Sequence, residues 1–550
     1  MKRQNIACLI LSALSAVLMS LPYLIPHCGF FALFGLVPLL CMERIATMTE
    51  TKRFWWWHYG TFVLWNAITT FWVCNATVGG GIFAVFANAL QMSLVFGLFR
   101  KSKKHFKGVL PYIFLVVTWI AWEKYYFDLA DISWPWLVLG NAFAQSIKSI
   151  QWYEFTGTLG GSLWVWMCNL AIFGTMVVLS DGTWQTRFNN RAKLAVVFSF
   201  VTLFILPFTI SKAIWKNCQE KEDPMEVLIV QPNIDPYNKF QALTQRQQDA
   251  ILIQQIEESL EDRHIRNISD QEQEPLLIVA PETFTSPLFT ESIHENTTWR
   301  SFVHLLKSYP NVNMLFGASA YDHIQSYQAP SATARHIREN LWLESHNSAL
   351  NIDGKGRTDL YHKSKLVVAV EMTPYPALFC KLDDMLGGVM GRCIGQDEVS
   401  LMQHTSYDSE GHISKTIPYG SAICYESVYG DYYADYVEKG ARFMTIITND
   451  AWWGDTPGYK QHLSYASLRA IETRRSIARC ANTGLSAIIN QRGEITAKTN
   501  WWKQETLRGT INMNDEITFF TKYGDIIGRV CTFLFILLLM ALGVRFATKR

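Results

Sequence analysis

The chain has 550 residues, of which 49% are hydrophobic and 17% charged, and its formal net charge at pH 7 is +2. This length allows two or three domains, and a charge so close to neutral gives no reason to expect a nucleic acid partner. The eleven cysteines include no CxxC pair, so the sequence predicts neither a zinc nor an iron–sulfur site.

Long apolar runs occupy the chain up to about residue 217 and again near its end. The first of them, residues 6–21 behind Lys2 and Arg3, is similar to a secretory signal peptide, but no small-residue cleavage site precedes a polar segment. We therefore interpret it as a retained span. Seven further runs bring the predicted membrane-spanning helices to eight: residues 28–42, 57–74, 82–99, 109–122, 163–179, 194–210 and 526–544.

Lysine and arginine are concentrated in alternate loops. Residues 44–53 and 100–107 carry several, whereas residues 22–26 and 75–81 carry none. Because cytoplasmic loops are enriched in these residues, both termini are predicted to be cytoplasmic, with the segment between spans seven and eight outside, in the periplasm of a Gram-negative cell. The predicted domains are residues 1–217 with seven spans, residues 218–521 as a globular insert, and residues 522–550 with the last span.

The loop after the fifth predicted span contains the stretch Ser133-Trp134-Pro135-Trp136. Tryptophan is common where a helix meets the membrane surface, which by itself explains this pair. The alternative is a stiff aromatic wall at which a lipid would arrive.

The insert alternates short β-rich runs with helical patterns, which is typical of an α/β fold. A basic helix is predicted over residues 462–480, and another helix over residues 242–260. Buried strands are predicted at residues 227–231, 276–280, 313–318, 347–352 and 443–448.

Three reactive side chains adjoin apolar runs in the insert. Glu282 follows residues 276–280, Cys424 ends a short apolar run, and Lys363 precedes another run that leads to Glu371. Since strands of one sheet bring such ends to one edge, we expect Glu282 and Cys424 to lie close together. A carboxylate, an ammonium group and a thiol suit nucleophilic attack on a carbonyl. Taken singly, each is as well explained as a surface charge or an ordinary buried cysteine.

The motifs APETF at Glu282, YHKSKLV at Lys363 with Glu371, and AICYES at Cys424 resemble the Glu-Lys-Cys pattern of the nitrilase superfamily, in the same order. VQPNI, TNDAWWG and the long stretch QHLSYASLRAIETRRSIARCANTG support the resemblance. With its flanking spans, the chain resembles the membrane-bound branch that N-acylates bacterial lipoproteins. The implied fold is an eight-helix membrane protein with an extracytoplasmic α-β-β-α sandwich inserted between spans seven and eight.

The resemblance also implies roles for individual residues. Glu282 would be the general base, Cys424 the nucleophile that becomes a thioester, and Lys363 an oxyanion donor together with the backbone N–H of Tyr425. Glu371 and Glu426 would orient the lysine and the cysteine loop. The implied partners are a phospholipid acyl donor, a diacylglyceryl apolipoprotein acceptor and membrane lipids, with no cofactor and a monomeric chain.

A thioester must be shielded from water. We expect Trp136, Phe240, Trp452, Trp453 and Tyr425 to supply walls or a lid, although each is also explained by ordinary packing. Phe240 stands where the related family often has tryptophan.

Two other functions are compatible with parts of the sequence. One is a membrane-tethered carbon–nitrogen hydrolase acting on a small amide or nitrile, which would not need eight spans. The other is a membrane binding protein without activity, which would not need an intact Glu, Lys and Cys.

Overall fold

The computed structural model describes residues 2–129, 131–182, 189–237, 239–266, 274–385 and 390–548. The chain forms two compact units, one of Met1–Gln219 with Tyr523–Arg550 and the other of Glu220–Lys522.

The first unit is helical, as its apolar runs predict, because a helix satisfies every backbone polar group within its own segment. Its helices are α1 (Lys2–Leu24), α2 (Ala32–Gly35), α3 (Val37–Met48), α4 (Trp55–Thr70), α5 (Val73–Ala76), α6 (Val78–Ser102), α7 (Leu110–Asp128), α8 (Tyr153–Ser180), α9 (Asn190–Asn217) and the C-terminal helix Ile526–Thr548.

Within the described part of the chain, six stretches of helix are long and apolar enough to cross a membrane. They are Gln4–Leu24, Gly29–Met48, Val78–Ser102, Tyr153–Ser180, Asn190–Asn217 and Ile526–Thr548. The two other predicted spans are also helices. However, α4 has only 16 residues, and α7 contains Glu123 and Lys124 near its end.

The second unit contains two sheets. Its strands are β1 (Pro224–Gln231), β2 (Leu276–Val279), β3 (Thr285–Phe289), β4 (Val312–Gln325), β5 (Arg335–Arg338), β6 (Leu341–Asp353), β7 (Thr358–His362), β8 (Met402–Tyr407), β9 (Ile413–Ile423), β10 (Met444–Thr448), β11 (Ile477–Ala481), β12 (Ala487–Ile489), β13 (Ile495–Lys498) and β14 (Glu505–Asn512). The first sheet has the order β14-β1-β2-β4-β6-β5, with β3 on β4 and β7 on β6, and the second has the order β13-β12-β11-β10-β9-β8.

Parallel strands form the centre of each sheet: β1, β2 and β4 in the first, and β9, β10 and β11 in the second. Their sequences are nearly continuous apolar runs, and β2 and β10 are buried along their whole length. Parallel strands covered on both faces have this composition.

The second unit also contains helices. They are α10 (Lys239–Ala242), α11 (Gln245–Arg266), α12 (Thr297–Leu306), α13 (Pro376–Met385), α14 (Gly430–Glu438), α15 (Pro457–Thr473) and α16 (Phe519–Tyr523). Helices α11 and α12 pack on the first sheet, α14 and α15 pack on the second, and the sheets contact each other. The arrangement is therefore an α-β-β-α sandwich, and the predicted α/β class is confirmed.

Two predictions about this unit are wrong. The helix predicted over residues 462–480 ends at Thr473, because Arg474 adopts the left-handed conformation with φ 51° and residues 477–481 form the buried strand β11. Glu282 and Cys424 do not follow strands of one sheet: Glu282 follows β2 in the first sheet, whereas Cys424 follows β9 in the second.

Candidate active site

Glu282 lies in the turn after β2 and is only 7% exposed. Its Oε1 accepts hydrogen bonds from Asn347 Nδ2 at 2.7 Å and Lys363 Nζ at 3.1 Å, and its Oε2 accepts one from the backbone N–H of Asn449 at 3.1 Å. A Cβ on Gly317 would lie 2.6 Å from Glu282 Cα and 2.4 Å from the backbone nitrogen of Thr283. The turn therefore requires glycine at position 317.

Lys363 directly follows β7, and its side chain is 1% exposed. Its backbone N–H donates to the carbonyl of Asn347 at 2.8 Å, and its Nζ donates to Glu282 at 3.1 Å and to Glu371 at 2.8 Å. Burial works to lower the pKa of Lys363, but the two carboxylates outweigh it and raise this pKa well above its usual value. The group is thus an ammonium ion, as an oxyanion donor must be.

Asn347 is a site residue that sequence reasoning missed. Its Nδ2 donates at 2.7 Å both to Glu282 Oε1 and to Glu371 Oε1, so it bridges the two carboxylates that share Lys363. Glu371 is further held by the backbone N–H of Val367, which donates to its Oε2 at 2.7 Å. The signal in the sequence was a polar amide at the first position of the strand predicted over residues 347–352, which lies within the buried half of β6.

Cys424 is the first residue after β9 and begins a short 3₁₀ helix, Cys424–Val428. Its φ is 52°, a left-handed conformation that costs roughly 1–3 kcal/mol for a residue with a side chain and that occurs often at active sites. Burial, with the negative charges of Glu282 and Asp450, raises the pKa of the Cys424 thiol well above its usual value, and Lys363 opposes this rise. The resting thiol is therefore protonated, so attack requires a base.

Glu426 connects the Cys424 turn to the Lys363 segment and is completely buried. Its Oε2 accepts from the backbone N–H of Ile423 at 2.7 Å. Its Oε1 accepts from Tyr361 Oη at 2.5 Å and from the backbone N–H of Ser364 at 2.7 Å. Glu426 therefore positions backbone on both sides of the site.

A second buried cluster, whose role was not predicted from the sequence, lies behind Cys424. His462 Nε2 donates to the carbonyl of Cys424 at 3.1 Å, and His462 Nδ1 lies 2.9 Å from Asp450 Oδ1. Arg479 Nη2 donates to Asp450 Oδ2 at 2.7 Å. Burial works to raise the pKa of Asp450, but Arg479 and His462 hold it well below its usual range. In the sequence, Asp450 lies in the supporting motif TNDAWWG, and His462 and Arg479 lie in the supporting stretch QHLSYASLRAIETRRSIARCANTG, but neither motif assigned these residues a role.

The candidate lid residues have different surroundings. Trp453 is half-buried, with its ring 5.5 Å from His462. Trp452 is 38% exposed, and its ring lies edge-on to Tyr237 at 5.0 Å. Tyr425 is buried against Tyr429. The side chain of Phe240 lies outside the described residues.

Trp136 belongs to the first unit and is 1% exposed there. Its ring stacks on Trp134 at 5.3 Å and contacts Trp72 at 5.0 Å. These contacts support a packing role within that unit.

The chain has no disulfide among its eleven cysteines, all of which the structure describes. Cys380 and Cys393 are both free thiols, as are the other cysteines. Among the described residues, no three His, Cys, Asp or Glu side chains are grouped as metal ligands would be.

Two family models match the sequence. The model of the carbon-nitrogen hydrolase family matches residues 229–518, and that of the apolipoprotein N-acyltransferase N-terminal domain matches residues 15–171.

Relatives with the name apolipoprotein N-acyltransferase align along most of the chain. The Chlorobaculum tepidum protein is 28% identical over 514 residues, which is 92% of this chain and 90% of the relative. The Geobacter metallireducens protein is 24% identical over 540 residues, which is 95% of this chain and 92% of the relative. Apolipoprotein N-acyltransferase 2 of Leptospira interrogans is 26% identical over 453 residues, which is 73% of this chain and 72% of the relative.

Proposed function

The chain belongs to the carbon–nitrogen hydrolase family, and we propose that it moves a fatty acyl chain from phospholipid to the N-terminal α-amine of S-diacylglyceryl-cysteine in apolipoproteins. This is the reaction of an apolipoprotein N-acyltransferase, the last step of lipoprotein maturation. The observation that carries the proposal is Cys424 in a left-handed turn beside the buried Glu282–Lys363 pair, in a chain whose first 171 residues include a match to the apolipoprotein N-acyltransferase N-terminal domain.

In the first half reaction, Glu282 accepts the proton of the Cys424 thiol while Sγ attacks the ester carbonyl carbon of a phospholipid. The carbonyl oxygen becomes an oxyanion, which Lys363 Nζ and the backbone N–H of Tyr425 stabilise. When the tetrahedral intermediate collapses, the C–O bond to glycerol breaks and Glu282 returns its proton to the departing alkoxide. A lysophospholipid leaves, and the acyl chain remains on Cys424 as a thioester.

In the second half reaction, Glu282 removes a proton from the α-ammonium group of the acceptor, so that a neutral amine attacks the thioester carbonyl. As the C–S bond breaks, the nitrogen loses a second proton and an amide forms. One of the two protons released by the nitrogen goes to the Cys424 sulfur and the other leaves to solvent, so that Glu282 ends as a carboxylate. Because the thioester keeps the acyl group activated after the first product has left, the two substrates react in a ping-pong order.

The supporting residues act through the three that react. Glu371 and Asn347 hold Lys363 and Glu282 in contact, and Glu426 holds the cysteine turn. Trp452 and Trp453 are the described side chains that we assign to the exclusion of water, which would otherwise hydrolyse the thioester.

The finer topology is part of the same proposal. Helices α4 and α7 complete eight spans with the six long apolar helices. In this proposal both termini are in the cytoplasm and residues 218–521 are in the periplasm, at the inner membrane, and the distribution of lysine and arginine supports this orientation. We propose that the chain acts as a monomer, with no cofactor.

Purified protein incubated with phospholipid carrying a labelled acyl chain tests the proposal. We expect a labelled thioester on Cys424 that a diacylated lipopeptide with a free α-amine discharges to a labelled amide. Cys393→Ala, which removes another free thiol of the same unit, should label normally, and Cys424→Ala should not. Release of free fatty acid without transfer to the amine, or turnover of a soluble amide instead, would contradict the proposal.

A further inference from the structure

A second lysine lies beside the proposed base and has no part in the mechanism above. Lys239 begins the short helix α10 after β1, and its side chain is only 5% exposed. Placing an ammonium group in the interior is costly unless it finds partners. The residues that contact Lys239 therefore indicate the function of its buried ammonium group.

Lys239 Nζ donates a hydrogen bond to the backbone carbonyl of Thr283, the residue that follows Glu282. Thr283 has φ 48°, so the chain turns through a left-handed conformation directly after the base. Gln248 Nε2 in turn donates to the carbonyl of Lys239 at 2.8 Å. The lysine thus anchors the strained turn that presents Glu282 to the thiol.

The charge of Lys239 also reaches Glu282. Burial lowers the pKa of Lys239 to about 8, and the carboxylates of Glu282 and Asp249 oppose this lowering. Asp249 is itself buried and accepts hydrogen bonds from Gln245 at 2.8 Å and Thr298 at 3.0 Å. Glu282 accordingly has two cationic neighbours: Lys363, which contacts its Oε1, and Lys239, which holds the next residue.

We infer that Lys239 is a positioning residue for the acyl-transfer reaction, which fixes the Glu282 turn and places a second positive charge beside Glu282, the group that accepts the thiol proton. The inference rests on the proposed function. The charged and titratable groups of this region are Asp249 and Glu282 beside Lys239, and Glu282, Glu371 and Cys424 beside Lys363. The pKa of Lys239 is lowered to about 8, whereas that of Lys363 is raised well above its usual value.

The test compares single-turnover acylation of Cys424 by labelled phospholipid, without an amine acceptor, in the unaltered chain and in Lys239→Met and Lys239→Arg, from about pH 6 to about pH 9.5. At pH 7 we expect Lys239→Met to acylate about tenfold more slowly or worse. The ratio of the unaltered rate to the Lys239→Met rate should fall as pH rises through about 8, where Lys239 loses its charge. Arginine keeps its charge over this whole pH range, so Lys239→Arg should still acylate faster than Lys239→Met at high pH.

Lys355→Met is the matched control, since Lys355 Nζ also donates to a backbone carbonyl, that of Gly411 at 2.5 Å, and sits over the Tyr407 ring. Its acylation rate should equal that of the unaltered chain at every pH. If Lys239→Met does not accumulate, the rate of Lys239→Arg relative to the unaltered chain should still rise through about pH 8.

A ratio that does not change with pH would reduce Lys239 to a purely structural residue and overturn the inference. Absence of any acyl-enzyme in the unaltered chain would count instead against the proposed function, so the two failures are distinguishable.

Discussion

The two sides of the site use buried charge in different ways. On the side contributed by the first sheet, the Lys363 ammonium group contacts the carboxylates of Glu282 and Glu371 directly. On the side contributed by the second sheet, Glu426 and His462 bond to the backbone that carries Cys424. The first arrangement controls where protons reside, whereas the second controls where the sulfur points. Substitutions on the two sides should therefore fail in different ways.

The largest effect should come from replacing Cys424 Sγ, because both sides of the site act on this atom. Cys424→Ser should abolish acyl-enzyme formation, because a hydroxyl is a much weaker nucleophile than a thiol activated by a neighbouring base. Labelled phospholipid followed by mass spectrometry of the protein measures this.

Cys424→Ala is the folding control for that variant, since neither sheet depends on the sulfur atom. It should accumulate in membranes and unfold at the same temperature as the unaltered chain. Substantial transfer activity in Cys424→Ser would place the nucleophile elsewhere.

The next largest effect should come from the side that controls protons. Glu282→Gln keeps the shape and one hydrogen-bond acceptor but removes the base, so both acylation and transfer to the lipopeptide should slow by about 10²–10⁴-fold. Single-turnover acylation, and discharge of a preformed acyl-enzyme in a separate experiment, measure the two steps. Normal acylation in this variant would remove Glu282 from the role of base, while loss of one step alone would mean that the two steps use different bases.

On the side that controls geometry, Asp450→Asn should lower the free energy of unfolding, and the size of this loss should depend on pH. Leaving Arg479 buried without its carboxylate should cost roughly 3 kcal/mol at pH 7. Because Asp450 has a depressed pKa in the folded protein, its stabilisation is present above about pH 4 and is lost as pH falls below that value.

Thermal unfolding of the unaltered chain and Asp450→Asn at several pH values measures this difference. The gap between their unfolding temperatures should narrow below about pH 4. A gap that stayed constant, or that widened on acidification, would mean that Asp450 is not held ionised by Arg479.

The smallest effect should come from Trp452, which is 38% exposed and belongs to neither of the two sides compared above. Trp452→Phe keeps an aromatic ring against Tyr237, so stability should change by less than about 0.5 kcal/mol. If Trp452 contributes to the lipid-binding wall, the phospholipid concentration that gives half the maximal acylation rate should rise a fewfold. The rate of discharge of a preformed acyl-enzyme should stay normal. Faster loss of the thioester to water would assign Trp452 to the lid, and no change in any step would make it a packing residue.

Much of the molecule follows from local patterns in the sequence. The apolar runs at both ends and the alternating strands and helices between them are properties of short segments, so periodicity and length were enough to predict helices in one region and an α/β fold in the other. The candidate reactive residues Glu282, Lys363 and Cys424 stood out because each is a polar group at the border of an apolar run. The helix predicted to Cys480 failed because a buried strand and a buried amphipathic helix share the same composition, and only the neighbours β10 and β12 make residues 477–481 a strand.

Sequence alone thus determined the two kinds of region and indicated the candidate reactive residues, because both are recorded in residues close together in the chain. The tertiary structure decided that Glu282 and Cys424 approach from different sheets, that Asn347 joins two carboxylates, and that Asp450, His462 and Arg479 support the nucleophile from behind. It also decided that Lys239 donates to the backbone carbonyl of Thr283, 44 residues away along the chain. Those contacts join segments far apart in the chain, and a buried charge acquires its partner and its pKa only when packing brings such segments together and excludes water.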